Sequence, residues 1–299
     1  MNLYLYLRKT FDEYIFMLKR TFILGDSWCY YKLYTGFKEA DNIIKDTLLP
    51  VANYLLDNKF IDGWFFIRYT DPKFHLRFRF HVKDDRGLIK SIMKLNEELQ
   101  YYISNDIIWK VQIDTYQREI ERYGEEVIEL SERIFFYDSN MIAKILNMDI
   151  NDKERELISF KIIDSFLNVF KIDDQDKLSI LRELQLGYKN EYNIKGTWND
   201  QFSNKYRELR KNLEDILSQE PKNVNIIKYL DLIKEKELII SSIPLEISNL
   251  LPEEKFQSFL KSHIHMMINR LFRTQQRIYE LVIYDCLSRY YSSFLARNK

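Results

Sequence analysis

The sequence predicts an α+β protein, with a small antiparallel β-sheet in the N-terminal half packed with many helices and a mostly helical C-terminal half. Three observations carry that prediction. Runs with strand-like alternation are confined to the stretch before residue 119. Apolar residues recur at helical spacing through nearly everything after it. Glycine is scarce beyond Gly124, where only Gly187 and Gly196 remain.

Taken in order, the aromatic-rich run Trp28-Cys29-Tyr30-Tyr31-Lys32-Leu33-Tyr34, bounded by Gly25 and Gly36, reads as a strand. Residues 38–56 have helical spacing through Ile43, Ile44, Leu48, Leu49 and Val51, and Pro50 is expected to break or kink that helix. Residues 64–69 and 75–82 are two strand-like runs joined by Thr70-Asp71-Pro72-Lys73-Phe74, whose turn chemistry makes a β-hairpin. In the second run alternation places His75, Arg77, Arg79 and His81 on one face and Leu76, Phe78, Phe80 and Val82 on the other.

A helix is expected over residues 88–102. A strand follows over 107–116, with Ile108, Lys110, Gln112, Asp114 and Tyr116 sharing one face. Helices are then expected over 127–136, 141–146, 154–170, 178–186, 199–217 and 224–238, with one long helix from 252 to about 294. Loops are expected at 188–198 and 219–223. No internal repeat is visible, so 1–299 is expected to form a single unit, the alternative being a split near 150 into a mixed part (1–150) and a helical part (151–299).

Composition narrows the function classes. Hydrophobic residues make up 46% and aromatics 15% of the chain, which supplies a core and sets disorder aside. Forty-five Lys and Arg balance 45 Asp and Glu, so no direct nucleic-acid partner is expected, because sequence-tolerant nucleic-acid binding needs a basic excess. Two distant cysteines, Cys29 and Cys286, and four histidines, at 75, 81, 263 and 265, fit neither zinc spacing nor a disulfide framework; no metal and no cofactor is expected. Charged residues interrupt the first 24 positions, and no later run reaches about 18 apolar residues, so the reading is a cytoplasmic protein without signal peptide or membrane span. Phosphate loop, nucleophile elbow, zinc-protease and dinucleotide motifs are all missing.

Three constellations stand out. Arg77 and Arg79, about 7 Å apart on one strand face, form either a solvated sheet face or a double fork for an anion. Asp114 to Gly124 places Arg118, Glu119, Arg122 and Tyr123 at a strand-to-helix junction, and reads equally as an exposed helix of paired charges. In the stretch from His263 to Phe272, His265 and Asn269 are i,i+4 neighbours, while an imidazole in an apolar stretch is commonly a core residue.

Together these segments resemble the thiopeptide-type bacteriocin biosynthesis family, which is also the C-terminal elimination domain of class I lantibiotic dehydratases. The residues that carry the resemblance are Trp64 to Pro72, His75-Leu76-Arg77-Phe78-Arg79-Phe80, Asp114-Thr115-Tyr116 leading to Arg118-Glu119 and Arg122-Tyr123-Gly124, and His265-Met266 with Asn269-Arg270-Leu271-Phe272. Trp28 with Lys32-Leu33-Tyr34 is similar to the family's opening strand.

The resemblance implies a lyase that expels glutamate from glutamylated Ser or Thr of a ribosomal precursor peptide, leaving dehydroalanine or dehydrobutyrine. It also implies a separate partner protein that performs the glutamyl-tRNA-dependent glutamylation. On that reading His265, Arg79, Arg122 and Arg77 are catalytic, and Arg118, Glu119, His75, Tyr123, Asn269 and Arg270 bind substrate. Clustered arginines suit a leaving group that carries one carboxylate and develops a second. Two other functions remain open: the related thiopeptide macrocyclising enzyme, which joins two dehydroalanines by a formal cycloaddition, and a non-catalytic subunit capturing precursor peptide on a strand edge. The aromatic surplus also leaves room for a homodimer contact.

Overall fold

The computed structural model describes residues 18–192 and 198–298. Its centre is a four-stranded antiparallel sheet of β2 (Trp28–Thr35), β3 (Ile61–Tyr69), β4 (His75–Val82) and β5 (Ile108–Ile113), in the order β3-β4-β2-β5. A two-stranded ribbon, β1 (Thr21–Phe22) with β6 (Tyr116–Gln117), lies apart from it. The hairpin is as expected, with Tyr30 opposite Arg79 and Arg79 opposite Phe65 across β2, β4 and β3. Leu33, Leu76, Phe78 and Phe80 are wholly or almost wholly buried on the apolar face, each such side chain stabilising the fold by about 1.5–3 kcal/mol.

The strand expected over 107–116 is two strands. The N–H of Asp114 donates to Tyr30 O (3.0 Å) as the last rung of β5. The Asp114 carboxylate then accepts from Thr115 N (2.8 Å) and pairs with Lys32, and from there the chain leaves the sheet and Tyr116 pairs with β1.

The helices are α1 (Glu39–Ile43), α2 (Leu49–Asp57), α3 (Asp85–Ser104), α4 (Ile120–Tyr123), α5 (Ile128–Leu146), α6 (Asp152–Val169), α7 (Asp174–Glu191), α8 (Trp198–Ile216), α9 (Val224–Ile227), α10 (Leu230–Ile240), α11 (Ile243–Leu250), α12 (Glu253–Leu271) and α13 (Gln276–Arg297). Pro50 does not stop its helix. A π-helical turn, Ile44–Leu48, joins α1 to α2, and the proline sits in the first turn of α2, where its missing N–H costs nothing. Side-chain caps set four starts: Asp84 accepts from Gly87 N, Asp173 from Asp176 N, Asn223 from Asn225 N, and Asn151 forms a reciprocal capping box with Glu154. The two helices expected over 127–146 are the single α5, and that expected over 224–238 divides into α9 and α10. The loop expected at 188–198 starts later, since α7 runs to Glu191; 193–197 lie outside the described residues, as do residues 1–17 of the N-terminal stretch.

The long helix expected over 252–294 is two helices. After Leu271 the chain turns extended at Phe272 and passes through a left-handed Gln275 (φ 54°), and α13 folds back along α12. No helix among the described residues is long and apolar enough to cross a membrane.

The outer edge of β3 is sealed by side chains. Phe66 N–H donates to Ser139 Oγ (3.2 Å), and Phe66 O accepts from Arg270 Nε (2.9 Å). The Asn269 amide accepts from Arg68 N (3.0 Å) and donates to Arg68 O (2.9 Å), imitating a neighbouring strand. Each such group left bare would cost about 1–3 kcal/mol. The exchange is mutual, because Arg68 Nε and Arg155 Nη1 donate to Arg270 O and Leu271 O, the orphan carbonyls at the end of α12. Asp41 gathers these arginines, accepting from Arg68, Arg155 and Arg273. Burial alone would raise the Asp41 pKa, but the adjacent guanidiniums of Arg68 and Arg155, with Arg273, outweigh it and hold it at about 2.

Candidate functional site

A cleft of about 520 Å³ opens between the end of β3, α4, α7 and the α12–α13 pair. Among its lining residues are Arg122, Tyr188, Lys261, Ser262, His265, Asn269 and Arg277. His265 Nδ1 lies 2.6 Å from Oε1 of Glu280, a side chain fully buried at the start of α13. Glu280 also accepts from Tyr188 OH (2.6 Å) and Tyr284 OH (3.0 Å), so its carboxylate is locked in place. A carboxylate there requires the proton on Nδ1, which leaves the lone pair of a neutral imidazole on Nε2. Arg277 Nη1 donates to Tyr188 OH (2.7 Å) and completes the cluster. Burial, reinforced by the Glu280 charge, pushes the Tyr188 phenol well above its usual range, so it stays a donor.

Arg122 reaches the cleft from α4, its Nε donating to Ser262 Oγ (3.2 Å) and its Nη1 3.5 Å from Glu119. Gly124 ends that short helix at φ +95°, where a Cβ would lie 3.1 Å from the Leu251 side chain. A turn needing left-handed backbone therefore fixes where Arg122 emerges.

A second, smaller cavity of about 40 Å³ is lined by Ile67, Arg79, Glu119, Tyr123, Met266 and Arg270, among others. The sequence neighbours Arg122/Tyr123, His265/Met266 and Asn269/Arg270 each contribute one residue to the cleft and one to this cavity, so the two spaces share a wall. Arg79 is 6% exposed, and its Nε and Nη1 have no hydrogen-bond partner; its guanidinium lies among the rings of Tyr30, Phe65 and Tyr116 at 4.1, 5.1 and 5.0 Å. Arg270 spends Nε on the sheet edge, while both terminal nitrogens lack hydrogen-bond partners and the nearest carboxylate, Asp138, is 3.8 Å away. Burial pulls the pKa of both arginines below the usual value, yet a guanidinium remains charged. Two buried cations with unused donors make a place for anionic oxygens.

His265, Arg122 and Asn269 thus meet in the cleft, and Arg79, Glu119, Tyr123 and Arg270 in the adjoining cavity. Three expected residues stand outside both. Arg118 spends its donors on Glu132 (2.8 and 2.7 Å), Glu129 and Lys19 O, and helps hold β1, β6 and α5 together. Arg77 lies 3.4 Å over the Tyr69 ring and donates to His75 Nε2 (3.2 Å). His75 donates from Nδ1 to Lys73 O (2.8 Å), and burial lowers its pKa, so it is a neutral strut. Both Arg77 and His75 pack on Tyr69, which lines the cleft.

Sequence reasoning missed Glu280, Tyr188, Arg277 and Lys261. In a continuous helix Glu280 would stand about 22 Å along the axis from His265; only the break at 272–275 brings it back. The polar run Arg273-Thr274-Gln275, which interrupts the apolar spacing, was the available signal. His263, two residues earlier and about 200° around the helix, is buried in a cage of Tyr123, Phe135, Phe166 and Phe259 with both ring nitrogens unpaired.

The family model for the lantibiotic biosynthesis dehydratase C-terminus matches residues 28–291. The nisin biosynthesis protein NisB of Lactococcus lactis subsp. lactis is 33% identical over 100 residues, 33% of this chain and 10% of that protein. The subtilin biosynthesis protein SpaB of Bacillus subtilis is 24% identical over 272 residues, 87% of this chain and 25% of that protein. The chain therefore spans a quarter or less of the length of these curated relatives. Among solved structures, the tRNA-dependent lantibiotic dehydratase MibB from Microbispora sp. 107891 has the same fold at a TM-score of 0.64 and 16% identity, covering 92% of this chain and 29% of that one. The pyridine synthase TbtD from thiomuracin biosynthesis has it at 0.62 and 12%, covering 90% of this chain and 100% of that one. With the four-stranded sheet and every helix from α1 to α12 inside the matched span, the chain belongs to the lantibiotic biosynthesis dehydratase C-terminal family.

Proposed function

We propose that this chain β-eliminates glutamate from glutamylated Ser or Thr of a ribosomal precursor peptide, acting on peptides that a separate glutamylation protein has modified. The observation that carries the reading is His265, set by buried Glu280 to offer Nε2 as a base, beside a wall holding two buried arginines with unused donors. Nε2 of His265 takes the α-proton; the released electron pair forms the Cα=Cβ bond; the Cβ–O ester bond breaks, and glutamate leaves as a carboxylate. Arg79 and Arg270 receive the developing negative charge, which is worth most in a dry site. Arg122, with Lys261 and Arg277, holds the leaving group's other carboxylate at the cleft wall.

The test is to give the purified protein a glutamylated precursor peptide and follow loss of glutamate by mass spectrometry. The expected product is the dehydrated peptide, and Arg79→Ala or His265→Ala in a folded protein leaves the glutamyl adduct in place. Size favours a second reading, since this chain covers the full length of the pyridine synthase TbtD. A glutamyl peptide that persists, while a peptide already carrying dehydroalanines is cyclised, establishes that reading instead.

A further inference from the structure

Asp138 and Arg270 are opposite charges, both fully buried, that face each other without bonding. Arg270 Nη1 stands 3.8 Å from Asp138 Oδ2, beyond hydrogen-bond reach. Neither that oxygen nor either terminal nitrogen of Arg270 has a hydrogen-bond partner. A carboxylate and a guanidinium in a dry interior ordinarily close into a forked pair, because unmade bonds between buried charges are costly. Each of the two is therefore held back from its own side.

Arg270 is held by the edge of β3. Its Nε donates to Phe66 O (2.9 Å) and Ser139 Oγ (3.1 Å), which fixes the plane of the guanidinium. Asp138 is held by Lys236, which reaches in from α10 with its side chain 5% exposed and forms an ion pair with Asp138 Oδ1. The other neighbours of that ammonium are soft, Met267 Sδ at 3.5 Å and the Phe166 ring at 5.3 Å, and among the described residues no second carboxylate pairs with it. Lys236, Asp138 and Arg270 sum to one positive charge. His263 adds none, since burial, with Arg270 and Lys236 nearby, presses its pKa well below the usual value. With Asp138 answered from behind, the uncompensated charge is that of Arg270, which lines the small cavity together with Arg79. Glu119, the carboxylate on that wall, is largely exposed and lies 3.5 Å from Arg122.

We propose that Lys236 is a positioning residue: by engaging Asp138 from outside the site, it leaves Arg270 free to receive an anionic oxygen of the substrate. The identity of that oxygen rests on the glutamate-elimination reading; the release of Arg270 rests on the geometry of the three side chains. Lys236 itself lines neither the cleft nor the small cavity. Without its charge the Asp138 carboxylate turns to Arg270, and of the two cavity arginines Arg79 alone stays unanswered.

Lys236→Met keeps the reach of the side chain and removes its charge. The variant should fold, because Arg270 then answers Asp138, and its turnover of glutamylated peptide should fall about tenfold or more. In its crystal structure the Arg270–Asp138 separation should close from 3.8 Å to about 2.9 Å. Adding Asp138→Asn to Lys236→Met removes the competing carboxylate and should restore most of the turnover, a recovery that a merely structural role of Lys236 would not give. Wild type that leaves glutamylated peptide intact ends the elimination reading, and the separation in Lys236→Met then decides the proposal by itself. A separation that stays at 3.8 Å overturns it, as does a Lys236→Met chain that is fully active or does not fold. So does a folded double variant as slow as Lys236→Met.

Discussion

Neutralising Asp41 tests the network that fixes the end of the His265 helix. In the folded chain its pKa is held at about 2 against an ordinary 3.8. The side chain is only 6% exposed, so solvent screening takes little away. The difference corresponds to about 2.5 kcal/mol of stability. Its sign follows from linkage: a depressed carboxyl stabilises the fold fully above pH 3.8, and that contribution is lost as pH falls through about 2. Burial lowers the pKa of Arg68 and Arg155, but both remain charged at any pH of interest, so the carboxylate alone sets the window. Asp41→Asn leaves two buried arginines without their counter-charge and should cost about 3–5 kcal/mol at pH 7, a fall in Tm of roughly 5–8 °C. Urea unfolding of wild type and variant from pH 6 to pH 2 reads both numbers. The gap between them should be constant above about pH 4.5 and then close by about 2 kcal/mol by pH 2. A gap that stays constant through that acid window, or a variant as stable as wild type at pH 7, would refute the assignment.

Glu280→Gln keeps the shape of the group behind His265 but removes a charge-assisted hydrogen bond of about 1.5–3 kcal/mol, so turnover of glutamylated peptide should drop about 10- to 100-fold with KM nearly unchanged; unaltered turnover removes Glu280 from the proposed mechanism. Arg118→Ala should act on stability and not on the site, because it strands the buried Glu132 carboxylate and costs about 3–5 kcal/mol in chemical denaturation; a stable variant with raised KM would return Arg118 to the substrate. His263, whose pKa burial and nearby Arg270 press well below 6.5, withholds a proton that the unfolded chain accepts. Wild type should therefore lose stability as pH falls below 6.5 in a way that His263→Phe does not, and equal pH profiles for the two proteins would contradict this.

Local pattern reached the elements and the faces but not the choice of partner for each charge. Alternation placed Arg77 and Arg79 on one face of β4, and they are there; that one is buried unpaired and the other stacks on Tyr69 depends on β6, α5 and α12 arriving over half of that face. Arg118 and Arg122, one helical turn apart in sequence, looked interchangeable. Their roles separate only because Glu132 comes back to meet Arg118, and Gly124 turns the chain just after Arg122. Asn269 and Arg270 were singled out as candidate site residues by resemblance, but closing the edge of β3 rests on contacts about 200 residues apart in sequence.

That closure explains how a side chain on a helix can be aimed without rigid neighbours of its own. Three buried carboxylates on three different elements each engage the His265 helix or its flanks: Asp41 through Arg68 and Arg155 at its last carbonyls, Asp138 facing Arg270, and Glu280 on the imidazole. Asn269 and Arg270 add bonds to the backbone of β3. Contacts to the helix end, to two adjacent side chains and to the imidazole itself fix both the translation and the rotation of the helix. Rotation by one residue, about 100°, would break all of them together while carrying His265 out of the cleft. The charges buried around the site therefore cost desolvation that an apolar core would not, and what they provide in return is a single register for the helix that carries His265.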